Sequence, residues 1–313
     1  MQQRPLGKSD ITVSVVGLGC NNFGGRLDLE ASRPVIHAAL DAGITLFDTA
    51  DTYGNRGGSE TILGQVLGAR RKDIVLATKF GKPMDDEGKR KGASPTYIVE
   101  AVHASLRRLK TDWIDLYQLH APDPETPIEE TLRTVETLVR SGKVRYFGVS
   151  NMPADQVGHT CRQAEALSLS GPITCQDEYS LLRRGMETEL RPAMEAAQLS
   201  LLPFFPLANG LLSGKYRVGE AAPADTRLGI APPYVQSYLG DEDRRAAERL
   251  RQFAERQGHS LLELAFSWLA AQPVVASVIA GATKAEQVRA NSMAAAWRLS
   301  ADELAEVDEL TRT

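Results

Sequence analysis

Long hydrophobic segments are missing from this sequence. No uninterrupted apolar run approaches the roughly 20 residues that a helix needs to span a bilayer. Residues 1–5, Met-Gln-Gln-Arg-Pro, are not followed by an apolar stretch, so we expect no signal peptide. Cysteine is scarce too: Cys20, Cys161 and Cys175 are scattered and lack metal-ligand spacing. The sequence therefore predicts a cytoplasmic protein with reduced thiols, no membrane partner and no metal site.

Charge of one sign does not dominate the sequence either. The formal net charge is −4 and basic residues form no long run, so nucleic acid is not expected as a partner. Common nucleotide motifs are also missing. Gly17-Leu18-Gly19 would need a third glycine at position 22 to be a Rossmann fingerprint, and that residue is Asn22. There is no P-loop and no Gly-x-Ser-x-Gly nucleophile elbow.

Strand-like and helix-like segments alternate regularly along the chain. With 42% hydrophobic and 24% charged residues, the sequence has the composition of a globular protein, and no linker divides it. Near-continuous apolar strands between amphipathic helices predict an α/β fold with a parallel sheet covered by helices. The eight predicted strands lie at 13–16, 44–47, 74–78, 114–119, 144–149, 173–176, 199–204 and 276–279.

Eight strand–helix units in roughly 280 residues match a closed (β/α)8 TIM barrel better than an open sheet. We therefore predict a single barrel domain over 1–313, with an N-terminal hairpin around 6–10 that caps the bottom of the barrel. The segment 206–241 is rich in Gly, Pro and Ala and forms a long loop between strands 7 and 8. Loops this long in a compact domain are usually functional or mobile.

Polar side chains follow the predicted strands at the point where each strand ends. Because the carboxyl ends of all barrel strands face the same mouth, these side chains are expected to meet. Each has an ordinary alternative, such as a surface lysine or a capping histidine, but together they indicate a site. They are Asp48 and Tyr53 after strand 2, Lys79 after strand 3, His120 after strand 4, Ser150 and Asn151 after strand 5, and Gln176 after strand 6.

A phenol, an ammonium, a carboxylate and an imidazole at one mouth suit the reduction of a carbonyl group. Hydride addition leaves an alkoxide that needs a proton, which Tyr53 is predicted to donate as general acid. Lys79 is predicted to lower the phenol pKa from about 10, and Asp48 to hold the lysine charged and in position. His120 is predicted to orient and polarise the carbonyl oxygen by a hydrogen bond.

Several motifs in register resemble the aldo-keto reductases over about residues 4–311. The pattern is closer to the bacterial and potassium-channel-associated branches than to the mammalian aldose-reductase branch. The resemblance implies a barrel enzyme that reduces ketones or aldehydes with a nicotinamide cofactor. The motifs are Asp48-Thr-Ala-x-x-Tyr53-Gly, Thr78-Lys79, Leu119-His120, Gly148-Val-Ser150-Asn151, the segment from Pro206 to Tyr216, and Gly281-Ala-Thr283-x-x-x-Gln287-x-x-x-Asn291.

The same resemblance implies where the cofactor binds. At the nicotinamide end it implies Asp48, and Ser150, Asn151 and Gln176 for the carboxamide. Phe204 takes the place of the aromatic ring that stacks on the nicotinamide, and Phe205 replaces the usual serine, which removes a hydrogen bond near the pyrophosphate. The pyrophosphate would be covered by 206–212, including Pro206, Leu207, Ala208 and Gly210, with Lys215 and Arg227 as cations.

The adenosine end is expected at the start of a later helix. Thr283 and Glu286 are predicted to form a capping box there, and a helix N-terminus suits a 2′-phosphate. NADP(H) is therefore preferred, with NAD(H) as the alternative. The residues implied at this end are Gly281, Thr283, Lys284, Gln287 and Asn291.

The substrate is predicted to be a partly apolar carbonyl compound in a pocket formed by Asn21, Phe23, Tyr53, Phe80 and His120. Two other functions stay open: a non-catalytic nucleotide-sensing subunit of a larger complex, and an NADP-dependent alcohol dehydrogenase working in the oxidative direction. The resemblance implies that the channel-associated subunits carry asparagine at the position of His120. A histidine at this position therefore favours a catalytic function. Assembly into a homo-oligomer is left open.

Overall fold

An N-terminal hairpin precedes the barrel in the computed structural model, which describes residues 1–217, 220, 222–223, 226, 228–230 and 240–311. Strand β1 (Gln3–Pro5) pairs antiparallel with β2 (Thr12–Ser14). Gly7 in its turn has a φ of +55°, and a Cβ there would lie 2.1 Å from the Ile173 carbonyl oxygen. The turn therefore packs tightly against a barrel strand where only glycine fits. The predicted N-terminal hairpin is confirmed.

In the part of the chain that the structure describes, eight parallel strands form the barrel, as predicted. Neighbours in the chain are neighbours in the sheet, and the last strand pairs with the first strand of the barrel. On the remaining side, Leu201 N–H donates to the Val274 carbonyl and Ala276 N–H to the Leu201 carbonyl, which closes the ring. The strands are β3 (Val16–Gly19), β4 (Leu46–Asp48), β5 (Val75–Phe80), β6 (Ile114–Leu119), β7 (Val144–Ser150), β8 (Pro172–Gln176), β9 (Ser200–Leu201) and β10 (Val278–Gly281).

Helices pack their apolar faces on the outside of the barrel and enclose the larger hydrophobic core. Helix α3 starts as predicted, with Ser94 Oγ accepting from Tyr97 N–H and Pro95 in the first turn. The helices are α1 (Leu29–Asp41), α2 (Tyr53–Val66), α3 (Pro95–Leu109), α4 (Ile128–Arg140), α5 (Ala154–Ala166), α6 (Leu190–Ala196), α7 (Asp241–Arg256), α8 (Leu261–Ala271), α9 (Ala285–Ala294) and α10 (Ala301–Thr311).

A second, smaller apolar cluster fills the bottom of the barrel interior. Leu6, Ile11 and Val13 of the hairpin pack there against inward-facing strand residues such as Leu46 and Leu116. Since side chains alternate along a strand, residues two positions further along point inward nearer the mouth. Asp48 and Gln118 are such residues, so the apolar layer supports a polar layer directly above it.

Two local predictions were wrong. The first barrel strand is Val16–Gly19 rather than 13–16, because 12–14 is the second strand of the hairpin and the chain turns at Val15. The capping box of Thr283 and Glu286 does not form: α9 begins one residue later, after Lys284 as N-cap. Gln287 is then the residue that reaches back, accepting from Thr283 N–H at 2.7 Å.

In the described ranges, no helix is long and apolar enough to cross a membrane. Among those same residues, no three His, Cys, Asp or Glu side chains are grouped so that they could hold a metal ion. All three cysteines are free thiols, two of them buried.

Candidate active site

Lys79, at the end of β5, lies at the centre of the site. Its Nζ donates to Asp48 Oδ2 at 2.7 Å and to the Thr49 carbonyl oxygen at 2.9 Å, and lies 3.5 Å from the Tyr53 hydroxyl. The lysine side chain is fully buried and that of Asp48 is 5% exposed, so water does not screen the ion pair. The structure thus brings the predicted phenol, ammonium and carboxylate into mutual contact.

Two amides hold the other oxygen of Asp48 from across the barrel. Gln176 Nε2 donates to Asp48 Oδ1 at 2.8 Å, and Gln118 Nε2 does so at 3.2 Å. The Gln176 nitrogen is therefore committed to Asp48, which leaves its oxygen as the atom to face a ligand. Gln118 was not among the predicted site residues. The two-residue alternation of β6 could have indicated it, because Leu116 and Gln118 share the inward face of the strand.

A left-handed turn fixes the backbone directly after Tyr53. Residues 54–57 all have φ between +58° and +114°. A Cβ on Gly54 would lie 2.3 Å from the Phe23 carbonyl oxygen, so glycine is required there. An ion pair between Arg56 and Asp86 joins this turn to the loop after β5. The phenol is therefore carried by a constrained segment rather than by a free loop.

His120 follows β6 and its ring meets the Tyr53 ring edge-on, with centroids 5.7 Å apart. Burial, followed by the nearby charges of Lys79 and Lys82, lowers the pKa of His120 to about 2. The imidazole is therefore neutral at physiological pH. Its Nδ1 is buried and has no hydrogen-bond partner within the described part of the chain. A neutral ring of this kind can give or accept a hydrogen bond but cannot act as a charged acid.

Burial and charge act in opposite directions on Tyr53. Burial raises the pKa of Tyr53, and the Lys79 charge lowers it without reversing that rise. The effect predicted for Lys79 has the right sign, but the depth of burial outweighs it, so the phenol pKa lies above its ordinary value rather than below it. For Lys79, burial lowers the pKa, but Asp48 and then Tyr53 raise it above its ordinary value. The resting site therefore contains a protonated phenol beside a charged lysine.

Ser150 and Asn151 end β7 beside His120. Asn151 has a φ of +53°, and its Nδ2 donates to the His120 carbonyl oxygen at 3.0 Å and to Ser150 Oγ at 2.9 Å. These bonds fix the amide so that its oxygen can accept from a ligand. The amide oxygens of Asn151 and Gln176 are both left able to accept from the NH2 group of a carboxamide. The rim residues thus fit the nicotinamide end of a cofactor.

The segment after β9 offers backbone groups suited to phosphate. Phe205, Ala208, Asn209, Gly210 and Gly214 have positive φ. Left-handed residues interspersed with ordinary ones turn successive N–H groups to one side and favour anion binding. Lys215 is exposed at the end of this segment. The predicted contact Arg227 lies outside the described residues. The Phe204 ring lies edge-on to the Phe205 ring, with 5.2 Å between their centroids.

The structure places the predicted adenosine-end residues together, around the start of α9. Gly281 is exposed at the end of β10, and Lys284 is exposed at the N-cap of the helix. Asn291 is buried on the face of α9 that packs inward. The Gln287 side-chain oxygen is already engaged, because it accepts from the Thr283 N–H. An exposed glycine, an exposed lysine and a helix N-terminus at one place suit a phosphate group.

Two predicted substrate contacts were wrong. Phe23 and Phe80 are fully buried members of the outer core, and Phe80 stacks on Tyr117 with ring centroids 4.5 Å apart. Lys79 points into the barrel, so its neighbour Phe80 must point outward. Asn21 is exposed at the rim, where its side chain lies close to Gly281.

Asp51, in the loop after β4, is a buried acid that the sequence analysis did not single out. Its side chain is 1% exposed, and in the described structure neither carboxyl oxygen has a hydrogen-bond partner. The hydroxyls of Tyr97 and Tyr117 are likewise unpartnered there. Burial, then the charge of Glu60, raises the pKa of Asp51 to about 8, against the opposing charge of Arg108. Asp51 is therefore mainly uncharged at neutral pH.

We expect Asp51→Asn to flatten the pH dependence of stability. The pKa is about 8 folded and about 3.9 unfolded, so between these values only the folded chain keeps the proton. Stability from this group is present below pH 4 and falls by about 1.4 kcal/mol per unit towards pH 8. Urea unfolding at pH 5 and 7.5 should show wild type losing about 2–3 kcal/mol relative to the variant. Parallel slopes for wild type, Asp51→Asn and the exposed control Asp112→Asn would contradict this.

A closed (β/α)8 barrel with these groups at the carboxyl ends of its strands defines a class of protein. The polar residues lie where barrel enzymes hold their substrates. A protonated phenol, a charged lysine and a neutral imidazole around one opening are groups that can donate a proton and hydrogen-bond a carbonyl oxygen. The fold and the site together indicate an oxidoreductase that uses a nicotinamide cofactor.

Comparison with known proteins identifies the family. The aldo/keto reductase family model matches residues 15–312. A probable voltage-gated potassium channel subunit beta of Arabidopsis thaliana is 38% identical over 303 residues, which is 94% of this chain and 91% of the relative. The Bacillus subtilis oxidoreductase YqkF is also 38% identical, over 100% of this chain and 97% of its own.

A solved structure gives the same result. The holo form of aldo-keto reductase AKR11C1 from Bacillus halodurans superposes with a TM-score of 0.82 at 35% identity, covering 100% of this chain and 97% of that one. The chain belongs to the aldo/keto reductase family and is an oxidoreductase that binds a nicotinamide cofactor.

Proposed function

We propose that this protein reduces a ketone or aldehyde to an alcohol with NADPH, in a single domain that spans the chain. One observation carries the proposal: the buried Lys79 ammonium touches both the Asp48 carboxylate and the Tyr53 hydroxyl, beside His120. The cofactor, when bound, supplies the hydride. The residues of the chain then have to hold the carbonyl and deliver one proton.

Tyr53 is the proposed proton donor. Its hydroxyl is neutral before reaction, because burial raises the pKa. When the proton leaves, the tyrosinate forms 3.5 Å from the Lys79 ammonium, and opposite charges attract strongly in a buried site. Lys79 therefore stabilises the charge that develops rather than the resting phenol. Asp48 keeps that ammonium charged and pointed at Tyr53.

His120 is the proposed orienting group. Because its pKa is lowered to about 2, the ring holds no second proton that it could transfer near pH 7. It can still hydrogen-bond a carbonyl oxygen and so place that oxygen next to the Tyr53 hydroxyl. This divides the work: His120 positions the carbonyl and Tyr53 protonates the alkoxide.

The two alternatives are weaker. An alcohol dehydrogenase would use the same residues in reverse, so the supply of reduced cofactor sets the direction. A non-catalytic subunit is raised by the similarity to a channel beta subunit. Of the four positioned groups, three are almost fully buried. Burying such polar groups costs folding free energy, which favours a catalytic role for them. The three free thiols support a cytoplasmic setting.

Loss of NADPH absorbance with a panel of aldehydes and ketones tests the proposal. Turnover of at least one carbonyl compound at a rate far above the uncatalysed reaction is expected. If NADPH binds but no member of a broad panel is reduced, and no alcohol is oxidised with NADP⁺, a nucleotide-sensing role would replace the enzymatic one.

We expect NADPH to bind more tightly than NADH, with Lys284 contributing to the difference. Its exposed ammonium at the N-cap of α9 can pair with a 2′-phosphate that NADH lacks. Lys284→Met should weaken NADPH binding by about tenfold and leave NADH binding unchanged. Fluorescence titrations of wild type, Lys284→Met and the exposed control Lys72→Met measure this. Tighter binding of NADH by wild type would contradict the cofactor assignment.

A further inference from the structure

The loop that leaves β5 places Lys82 at the mouth of the barrel. His120 N–H donates to the Phe80 carbonyl oxygen at 2.9 Å. Phe80 is two residues before Lys82, so the loop begins beside His120. Gly92 N–H donates to the Gly81 carbonyl oxygen at 2.8 Å, which closes the loop at its base. Lys82 therefore leaves from the fixed foot of this loop, next to the predicted carbonyl site, and is partly buried.

The other cations around this loop are paired with acids, whereas Lys82 is not. Within the described part of the chain, no carboxylate lies within 4.0 Å of the Lys82 ammonium. The pairs formed by its neighbours are Lys89 with Glu87, Arg90 with Glu100, Lys91 with Glu125, and Arg56 with Asp86. The positive charge of Lys82 is thus left uncompensated beside the site.

The surrounding charges agree with this placement. Burial, then the charge of Lys79, lowers the pKa of Lys82, while Asp51 opposes the shift. Asp51 is mainly uncharged near pH 7, since its own pKa is raised to about 8. Asp48 is already bonded to Lys79, so it does not serve as an anion for Lys82. Lys82 is therefore close enough for its charge to act on His120, and it has no salt-bridge partner among the described residues.

We propose that Lys82 binds a carboxylate of the substrate, so that the enzyme prefers carbonyl compounds that also carry a carboxylate. This inference rests on the proposed carbonyl reduction. With the carbonyl oxygen held between Tyr53 and His120, a second anchor at Lys82 fixes the remaining orientation of the substrate. A carboxylate fits better than a phosphate, because one ammonium matches one charge.

A matched pair of aldehydes tests the inference: 4-formylbenzoate and its methyl ester, which differ by one charge. Wild type with NADPH is expected to show a higher kcat/KM for the carboxylate. In Lys82→Met the ratio of the two kcat/KM values should fall about tenfold, through a raised KM for the carboxylate substrate, while the ester is unaffected. Lys82→Arg should retain most of the ratio, and Lys89→Met, in the same loop, should retain all of it. An unchanged ratio in Lys82→Met would overturn the inference while leaving carbonyl reduction intact.

Equilibrium binding separates the inference from the proposed function. Benzoate and benzamide are titrated into the NADP⁺-loaded protein by calorimetry, which requires no turnover. Wild type should bind benzoate more tightly than benzamide, and Lys82→Met should bind both equally, even if no aldehyde is reduced. Equal affinities for the two ligands in wild type would overturn the role of Lys82 whatever the enzyme assays give.

Discussion

Tyr53→Phe is expected to lower kcat for carbonyl reduction by about 10²–10⁴, the usual contribution of a positioned general acid. Phenylalanine keeps the ring that meets His120 edge-on but removes the hydroxyl 3.5 Å from Lys79. No other hydroxyl contacts the Lys79 ammonium within the described structure. The alkoxide would then have to take its proton from water or from an imidazole that holds no proton to spare.

The loss should fall on turnover and not on cofactor binding. NADPH affinity, measured by fluorescence, is expected to stay within about twofold of wild type, since a change of about 0.4 kcal/mol is near the limit of such comparisons. Tyr146→Phe is the matched control. That hydroxyl bonds to Asp10 of the hairpin loop, at the opposite end of the barrel. Wild-type activity in Tyr53→Phe would remove the phenol from the mechanism.

Lys79→Met is expected to abolish turnover and also to destabilise the fold. It removes the cation from a carboxylate whose side chain is 5% exposed. Among the described residues, the amides of Gln118 and Gln176 are then the partners left to the Asp48 side chain. Breaking a buried pair in this way typically costs about 3–5 kcal/mol, because the remaining charge stays buried and uncompensated. Urea unfolding should show a loss of that size, and Lys72→Met on the surface should show almost none.

The double variant Asp48→Asn/Lys79→Met separates a charge effect from a packing effect. Removing both partners eliminates the stranded charge, so its stability should exceed that of Lys79→Met although more contacts are lost. Its turnover should stay as low as that of the single variant. If the two losses simply added, the buried charge would not be the cause of the destabilisation.

The fold could be predicted from the sequence because its two periodicities are unambiguous. Apolar strands and amphipathic helices alternate eight times, and few folds other than the closed (β/α)8 barrel have that order of elements. The misplaced first strand has a physical origin: apolar residues run on both sides of position 15, and no glycine or proline marks the turn at Val15. The predicted start of α9 was one residue early because threonine is a common N-cap residue. Only the observed helix shows that the Gln287 side chain accepts from the Thr283 N–H.

The site could be predicted in outline for a geometric reason. In a barrel all strand ends meet, so position along the strand is enough to bring Asp48, Lys79 and His120 together. Side-chain direction is also encoded, and applying it to Lys79 would have excluded Phe80 from the pocket. Depth of burial is not encoded locally. It decides the raised pKa of Tyr53 and the neutral carboxyl of Asp51, which depend on helices packed from elsewhere in the chain.

The most direct test of the central claim is a crystal structure of the protein with NADP⁺ and a carbonyl inhibitor. The account predicts that the reactive face of the nicotinamide points at the inhibitor, whose oxygen lies within hydrogen-bonding distance of both the Tyr53 hydroxyl and the His120 ring, with Lys79 still bonded to Asp48. A nicotinamide bound away from Tyr53, or an inhibitor oxygen held by other groups, would contradict it.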